Sequence, residues 1–236
     1  MERVATLSPG MDVAAEASHL PRPRAILFDW DNTLVDTWPC IGKATNITLT
    51  SMGQQPWTEA EIRERVAGSL RDTFPKIYGD RWEEARDVYY RAYEAVHLET
   101  LAPLPGAQDL LARAIDGGLV LGVVSNKTGR YLRQEVSYLG WDRFFVRAVG
   151  AQDAPRDKPA PDPIFMALEG SNIEPGPHVW FVGDAGVDIE CGAAAGCTTI
   201  LLHGGVNGGP LTPHQRAADC ATFAALVDSR LDAPRA

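Results

Sequence analysis

The chain lacks any apolar run that approaches the roughly 18 consecutive residues of a membrane span. Basic residues are also in the minority, since 22 lysines and arginines stand against 31 aspartates and glutamates and give a formal net charge of −9 at pH 7. This balance argues against a nucleic-acid or anionic-membrane partner. An anionic substrate would therefore have to be met locally, by a metal ion or a few placed cations.

Cysteine is scarce as well. None of the four cysteines forms a CxxC pair or stands at zinc-finger spacing from histidines, so neither a disulfide framework nor a cysteine metal site is predicted. Reduced thiols, together with the absence of an apolar stretch of signal-peptide length at the N-terminus, predict a cytoplasmic protein. The nucleotide-phosphate loops GxGxxG and GxxxxGK[ST] are absent too.

What the chain does contain is ordinary globular composition, with 236 residues of which 45% are hydrophobic and 22% charged. Short, continuously apolar runs separated by helix-length segments are typical of parallel strands buried on both faces. These runs cover residues 25–28, 119–124, 146–149, 179–182 and 198–202. The predicted fold class is α/β, a doubly wound (Rossmann-like) parallel sheet.

About 90 residues separate the first two runs, whereas a single crossover needs only a dozen or so. We therefore predict an inserted α-helical cap domain at residues 37–102. The α/β core would then comprise residues 24–36 and 103–236, preceded by a flexible leader at residues 1–23. Helices are predicted at residues 41–52, 58–66 and 81–98 of the insertion and at 108–116, 186–196 and about 213–231 of the core, and Thr58 and Glu61 form a capping box.

Polar side chains follow the ends of the predicted strands. Ligands of open α/β sheets bind at the carboxyl ends of the strands, so we expect these side chains to converge. They are Asp29, Asp31 and Thr33 after the first strand, Ser125 and Asn126 after the second, Lys158 beyond the third, and Asp184 and Asp188 after the fourth. Clustered carboxylates, a hydroxyl and an ammonium are typical of phosphoryl-transfer chemistry.

Each residue type answers a need of that chemistry. A carboxylate can attack a dianionic phosphate ester only if a cation neutralises the charge, and Mg²⁺ prefers hard oxygen ligands such as Asp29 and Asp184. Attack by Asp29 would give an aspartyl-phosphate. Asp31 could protonate the leaving group and later deprotonate water. Ser125 and Lys158 would hold phosphoryl oxygens, and Lys158 would also pair with Asp29.

The order of the motifs DWDNT, SNK, K followed by Pro, and GDxxxD resembles the haloacid dehalogenase-like (HAD) hydrolase superfamily over roughly residues 24–205. The resemblance implies that Asp29 is the nucleophile and Asp31 the acid/base whose backbone carbonyl also binds Mg²⁺. Thr33 would be a hinge or orienting residue. It also implies that Ser125 supplies the phosphate-binding hydroxyl and that Lys158 is the motif lysine. Asp184 would be a metal ligand and Asp188 its supporting carboxylate.

Asp31 favours the phosphatase branch, because dehalogenases and the phosphonatase branch lack the second aspartate. The DNTLVDT and Val124-Ser-Asn-Lys127 segments look more like phosphoglycolate phosphatases. Trp30 is bulkier than the usual residue between the aspartates.

In the insertion, Lys43, Ser69 and Arg71 are candidates for reaching the substrate, with Asn126 as a further substrate contact in the core. The five histidines lie outside the motifs and are expected in surface or core positions.

The predicted function is therefore Mg²⁺-dependent hydrolysis of a small phosphorylated metabolite, by a monomer or a homodimer. One alternative is a β-phosphoglucomutase-like phosphotransferase, which shares both aspartates and the cap. An alternative of another class is a regulatory or binding module that carries a phospho-aspartate without hydrolysing a substrate. Receiver-like modules of that kind have about 120 residues and no such insertion, so length and Asp31 favour the enzyme.

Overall fold

The structure is a computed structural model that describes residues 20–66, 70–205 and 209–233, with the backbone alone for residues 70–72. Its centre is a six-stranded sheet formed by β1 (Ala25–Phe28), β4 (Val120–Thr128), β5 (Arg147–Ala151), β6 (Val179–Gly183), β7 (Thr198–Leu202) and β8 (Gln215–Ala217). The strand order across the sheet is β5-β4-β1-β6-β7-β8, and all neighbouring strands pair in parallel. All five predicted strands are present.

Both faces of the sheet are buried, as alternation along β1 shows. Ile26 and Phe28 belong to the hydrophobic cluster on one face, and Ala25 and Leu27 to the cluster on the other. Helices α5 (Ala107–Asp116), α6 (Gly129–Tyr138) and α9 (Cys220–Leu231) cover the first face, whereas α7 (Asp162–Leu168) and α8 (Gly186–Ala194) cover the second. Burial on both faces explains the continuous apolar runs, and the doubly wound α/β prediction is confirmed.

In the described part of the insertion, four α-helices lie between β1 and β4: α1 (Trp38–Ser51), α2 (Glu59–Arg65), α3 (Leu70–Tyr78) and α4 (Trp82–Val96). They are bracketed by β2 (Val35–Asp36) and β3 (Ala102–Pro103), which pair as a short antiparallel ribbon. The insertion has its own apolar cluster, which also includes Tyr131 from α6 of the core. Three of its helices were predicted. Helix α3 was missed because Pro75 lies inside it, and proline ordinarily ends a helix.

Two predicted boundaries are wrong. Residues 1–19 of the predicted leader lie outside the described residues, but the core begins no later than Leu20, whose side chain is only 2% exposed. The carbonyl of Pro21 accepts a hydrogen bond from Trp180 Nε1 at 3.1 Å, which fixes this segment against β6. The last helix begins at Cys220 rather than near residue 213. Asp219 caps it through Thr222 N at 2.7 Å, and the residues before it pair as β8.

Among the helices in the described part of the chain, none combines the length and the apolar character that a membrane crossing needs.

Candidate active site

The carboxyl end of β1 lies between those of β4 and β6, so the side chains that follow these strands meet. Asp29 continues directly from β1, and its backbone N–H donates to the carbonyl of Val182 in β6 at 2.8 Å. Ser125 lies in β4, and Asp184 follows β6. The predicted convergence of the motifs at this edge of the sheet is therefore present in the structure.

Lys158 holds two of the carboxylates. Its ammonium lies 2.6 Å from Asp29 Oδ1 and 2.7 Å from Asp188 Oδ1, and the side chain is only 2% exposed. Burial alone would lower the pKa of Lys158, but the two carboxylates outweigh it and hold this pKa above its ordinary value. The lysine is therefore charged at neutral pH. Thr33 Oγ1 makes a longer contact of 3.4 Å with Asp29 Oδ2, in keeping with an orienting role.

Asn126 positions the backbone of Lys158. Its Nδ2 donates to the carbonyl of Lys158 at 3.1 Å, and its Oδ1 accepts from the N–H of the same residue at 3.1 Å. This double contact ties the end of β4 to the loop after β5. The side chain predicted as a substrate contact thus binds the backbone of Lys158, and its contact with a substrate stays a prediction.

Three carboxylates form a cluster that could hold a metal ion. Each of Asp29, Asp184 and Asp188 offers an oxygen, and these oxygens lie within 4.8 Å of one another. Burial and repulsion between the carboxylates raise the pKa of Asp184 and that of Asp188, although Lys158 partly opposes the increase. With Lys158 the ionised cluster has a formal charge of −2. An all-oxygen cluster of this charge fits a divalent cation such as Mg²⁺.

Gly183 permits the approach of Asp188 to the end of β6. A Cβ atom at Gly183 would lie 2.2 Å from Asp188 Oδ2, far inside contact distance. The same Oδ2 accepts from the backbone N–H of Ala185 at 3.1 Å, at the start of α8. A glycine before Asp184 is thus required by close packing, which explains the GD pair of the fourth motif.

Asp31 has a different environment from Asp29. The chain turns at Asn32, between Asp31 and Thr33, where φ is +57°. The carboxylate of Asp31 is not part of the cluster that could hold a metal ion, and its Oδ1 is 2.6 Å from Lys127 Nζ. Burial raises the pKa of Asp31; Lys127 opposes this effect and Asp29 adds to it. A carboxyl with a raised pKa can hold a proton that it later donates.

Ser125 is buried and oriented by its neighbour. Its Oγ accepts a hydrogen bond from the backbone N–H of Lys127 at 3.2 Å. Within the described ranges its hydroxyl hydrogen meets no acceptor, so it is available to a ligand oxygen.

The candidates in the insertion have less support. Lys43 Nζ lies 3.1 Å from both carboxylate oxygens of Glu99, in an exposed ion pair. Ser69 and the side chain of Arg71 lie outside the described residues. The predicted role of these three in substrate binding stays a prediction.

Sequence reasoning missed Glu135 and gave Lys127 no role. Lys127 lies between Asp31 and Glu135, with Nζ 2.5 Å from Glu135 Oε2. Burial lowers the pKa of Lys127, but the two carboxylates outweigh it and hold this pKa above its ordinary value. A signal for Glu135 was present in the sequence, because it falls on the buried face of α6 with Tyr131 and Leu132. A charged residue in such a position requires a buried partner.

Fold and site together define an α/β enzyme with an acidic site at the carboxyl edge of a parallel sheet. The model of the haloacid dehalogenase-like hydrolase family matches residues 26–202, and the chain belongs to this family. The predicted membership and the prediction of a hydrolase are confirmed.

Similar proteins extend over most of the chain. A phosphoglycolate phosphatase of Psychrobacter arcticus is 29% identical over 224 residues, which cover 88% of this chain and 96% of the relative. An N-acetylmuramic acid 6-phosphate phosphatase of Pseudomonas aeruginosa is 32% identical over 78% of this chain and 83% of its own length. A HAD-superfamily hydrolase from Geobacter sulfurreducens shares the fold, with a TM-score of 0.73 at 21% identity over 89% of this chain and 99% of that one.

Proposed function

We propose that the protein is a Mg²⁺-dependent phosphatase that hydrolyses small organic phosphate monoesters through an aspartyl-phosphate on Asp29. The observation that carries the proposal is the different placement of two aspartates two residues apart. Asp29 lies with Asp184 and Asp188 in the cluster of carboxylates that could hold a metal ion, whereas the carboxylate of Asp31 lies outside this cluster, 2.6 Å from the ammonium of Lys127. Such a difference in environment separates a nucleophile from an acid/base.

The residues that would hold Mg²⁺ are Asp29, Asp184 and the backbone carbonyl of Asp31, with Asp188 as the supporting carboxylate. Convergence of the carboxylates and the formal charge of the cluster support this set. Bound Mg²⁺ would neutralise charge on the phosphoryl oxygens and so lower their repulsion of an attacking carboxylate.

In the first step the carboxylate of Asp29 forms a bond to phosphorus while the bond from phosphorus to the ester oxygen breaks. The departing oxygen takes the proton of Asp31 and leaves as an alcohol. Ser125 donates its free hydroxyl hydrogen to a phosphoryl oxygen, and Lys158 keeps Asp29 in place with its positive charge.

In the second step Asp31, now a carboxylate, takes a proton from water as the water oxygen bonds to phosphorus. The bond between phosphorus and Asp29 breaks, which releases inorganic phosphate and restores both carboxyl groups to their first state. A single residue thus serves both proton transfers, and its distance from the site of reaction has to suit both.

The helical insertion is proposed as a cap of residues 37–102, on a core whose first segment includes Leu20 and ends at residue 36 and whose second segment is residues 103–236. The ribbon of β2 and β3 at its two ends and the apolar cluster of its own support these boundaries. A cap that closes would exclude water from the aspartyl-phosphate. Phosphoglycolate is the first substrate to test, because a relative matched over 96% of its length is named for it.

We keep the cytoplasm as the proposed location and a small phosphorylated metabolite as the proposed partner. All four cysteines are buried and unpaired, which is compatible with a reducing compartment.

The test is release of inorganic phosphate from a panel of esters, with phosphoglycolate, N-acetylmuramic acid 6-phosphate and a hexose phosphate included. We expect release that requires Mg²⁺, stops in EDTA and is abolished by Asp29→Asn. The matched control is Asp116→Asn, an exposed aspartate at the end of α5, which should keep full activity. A folded protein that releases no phosphate from any ester would contradict the proposal.

The same assay separates the alternatives. A phosphotransferase of the β-phosphoglucomutase kind would convert one hexose phosphate isomer into another with little free phosphate. A regulatory module would accumulate long-lived phosphorylated Asp29 without turnover. Both outcomes are distinguishable from hydrolysis by measuring isomer, phosphate and phosphoprotein in parallel.

A further inference from the structure

A buried charged network lies beside the proposed site, on the side where α6 meets the insertion. The carboxylate of Glu135 is only 1% exposed, and its Oε2 accepts from Lys127 Nζ at 2.5 Å and from Trp30 Nε1 at 2.7 Å. The other side of Lys127 faces Asp31, with 2.6 Å between Nζ and Oδ1. This last contact is a second ion pair of the same ammonium.

The same carboxylate also reaches the insertion. Glu135 Oε1 accepts from the hydroxyl of Tyr93 at 3.2 Å and lies 2.9 Å from Nδ1 of His97. Tyr93 lies in α4, and His97 directly follows it. Because an ionised carboxylate only accepts hydrogen bonds, Nδ1 of His97 has to carry a hydrogen. Glu135 is thus bound by two donors from the insertion and two from the core.

Stability alone is a weak reason for this arrangement. Desolvating a buried ion pair costs about as much as its attraction returns, so apolar residues of similar volume often serve as well. Trp30, the bulky residue between the two aspartates, also binds this carboxylate, because its indole Nε1 donates to Glu135. A functional reason for the network is therefore to be found in the contact between Lys127 and Asp31.

We propose that Lys127 is a positioning residue for Asp31, and that Glu135 makes the position of Lys127 depend on the positions of Tyr93 and His97 in the insertion. The inference rests on the proposed phosphatase function and on Asp31 as its acid/base. Within the described residues, Lys127 is the only cation at ion-pair distance from Asp31. If the contact of α4 with α6 shifts, Glu135, Lys127 and the carboxyl of Asp31 shift with it.

The expected effect depends on the leaving group. An alkyl phosphate needs a proton from Asp31 as its alkoxide departs, whereas 4-nitrophenolate leaves as a stable anion without one. Misplacement of a reacting group by about 1 Å can cost about 10²-fold in rate. Loss of positioning should therefore slow alkyl esters and largely spare the aryl ester. A general loss of folded protein would lower both rates equally.

The decisive variant is Lys127→Met, which keeps a long unbranched side chain. The readout is kcat/KM, since it reports the step that breaks the ester bond, for the preferred alkyl phosphate and for 4-nitrophenyl phosphate. We expect a fall of about 10²-fold for the alkyl ester and less than about 5-fold for the aryl ester. Equal losses on both esters, or none on either, would overturn the proposal.

A second pair of variants tests the link to the insertion and does not depend on the folding of Lys127→Met. Tyr93→Phe removes only the hydroxyl that contacts Glu135, and Tyr89→Phe is the control from the same helix and the same apolar cluster. We expect Tyr93→Phe to lower the ratio of alkyl to aryl kcat/KM by about 5-fold, the size that loss of one hydrogen bond produces. An unchanged ratio in Tyr93→Phe, or an equal change in Tyr89→Phe, would overturn the dependence on the insertion.

Failure of this inference is distinct from failure of the proposed function. A wild-type protein that hydrolyses no ester contradicts both. A wild-type protein that hydrolyses esters, with unchanged ratios in Lys127→Met and Tyr93→Phe, contradicts the positioning role alone.

Discussion

Replacement of Lys158 by methionine should test most directly how much its positive charge stabilises the buried carboxylates of the site. Lys158→Met keeps the apolar stem but removes the ammonium that lies 2.6 Å from Asp29 and 2.7 Å from Asp188. Removal of one partner from a buried ion pair leaves uncompensated charge and typically costs about 3–5 kcal/mol. Since small domains have roughly 5–15 kcal/mol of unfolding free energy in total, this is a large fraction.

The assay is urea unfolding of the metal-free protein in EDTA, followed by tryptophan fluorescence. The matched control is Lys43→Met, which removes an ammonium from the ion pair with Glu99, where the lysine side chain is 42% exposed. Exposed pairs contribute about 0–1 kcal/mol, so the control should stay close to wild type. A loss in Lys158→Met no larger than that of the control would refute the reasoning.

The loss of unfolding free energy in Lys158→Met should change with pH in a definite direction. Burial and mutual repulsion already raise the pKa of Asp184 and that of Asp188, and removal of Lys158 should raise the pKa of Asp188 further. A group whose pKa is raised by folding contributes stability that is present below its unfolded pKa and is lost as pH rises through its folded pKa. The deficit of Lys158→Met should therefore be largest near pH 7 and shrink towards pH 5. A deficit that grows on acidification would contradict this account, whereas recovery on adding Mg²⁺ at pH 7 would support it.

Three further predictions concern single residues of the site. Asp31→Asn should lower kcat/KM for alkyl phosphates by about 10²–10⁴-fold and affect 4-nitrophenyl phosphate far less, which steady-state kinetics on both esters would check. Gly183→Ala should displace Asp188, because the added Cβ would lie 2.2 Å from its Oδ2, and should weaken stabilisation by Mg²⁺ in thermal unfolding; an unchanged shift of Tm with Mg²⁺ would count against the close approach. Asn126→Ala removes both contacts with the backbone of Lys158 and should lower kcat more than it raises KM, whereas a rise in KM alone would support the predicted substrate contact.

Much of the core and of the motif site could be predicted because its signals are local. Strands buried on both faces appear as continuous apolar runs, and the residue after each run is necessarily at the carboxyl edge of the sheet. Asp29 and Asp184 were found in this way. Where the local signal was ambiguous, the prediction was wrong. Helix α3 was missed because it contains Pro75, and β8 was missed because polar residues precede Asp219.

The fold class, the helical insertion and the motif residues of the candidate site could be inferred from the sequence, since each depends on the order of residues along a few strands. The partners of those residues depend on the tertiary structure. Asn126 meets Lys158 across 32 positions, and Glu135 meets Trp30, Tyr93 and His97 across 105, 42 and 38. Such contacts arise from the packing of α6 against both the sheet and the insertion, and no periodicity within one segment records which distant side chain a buried carboxylate will bind.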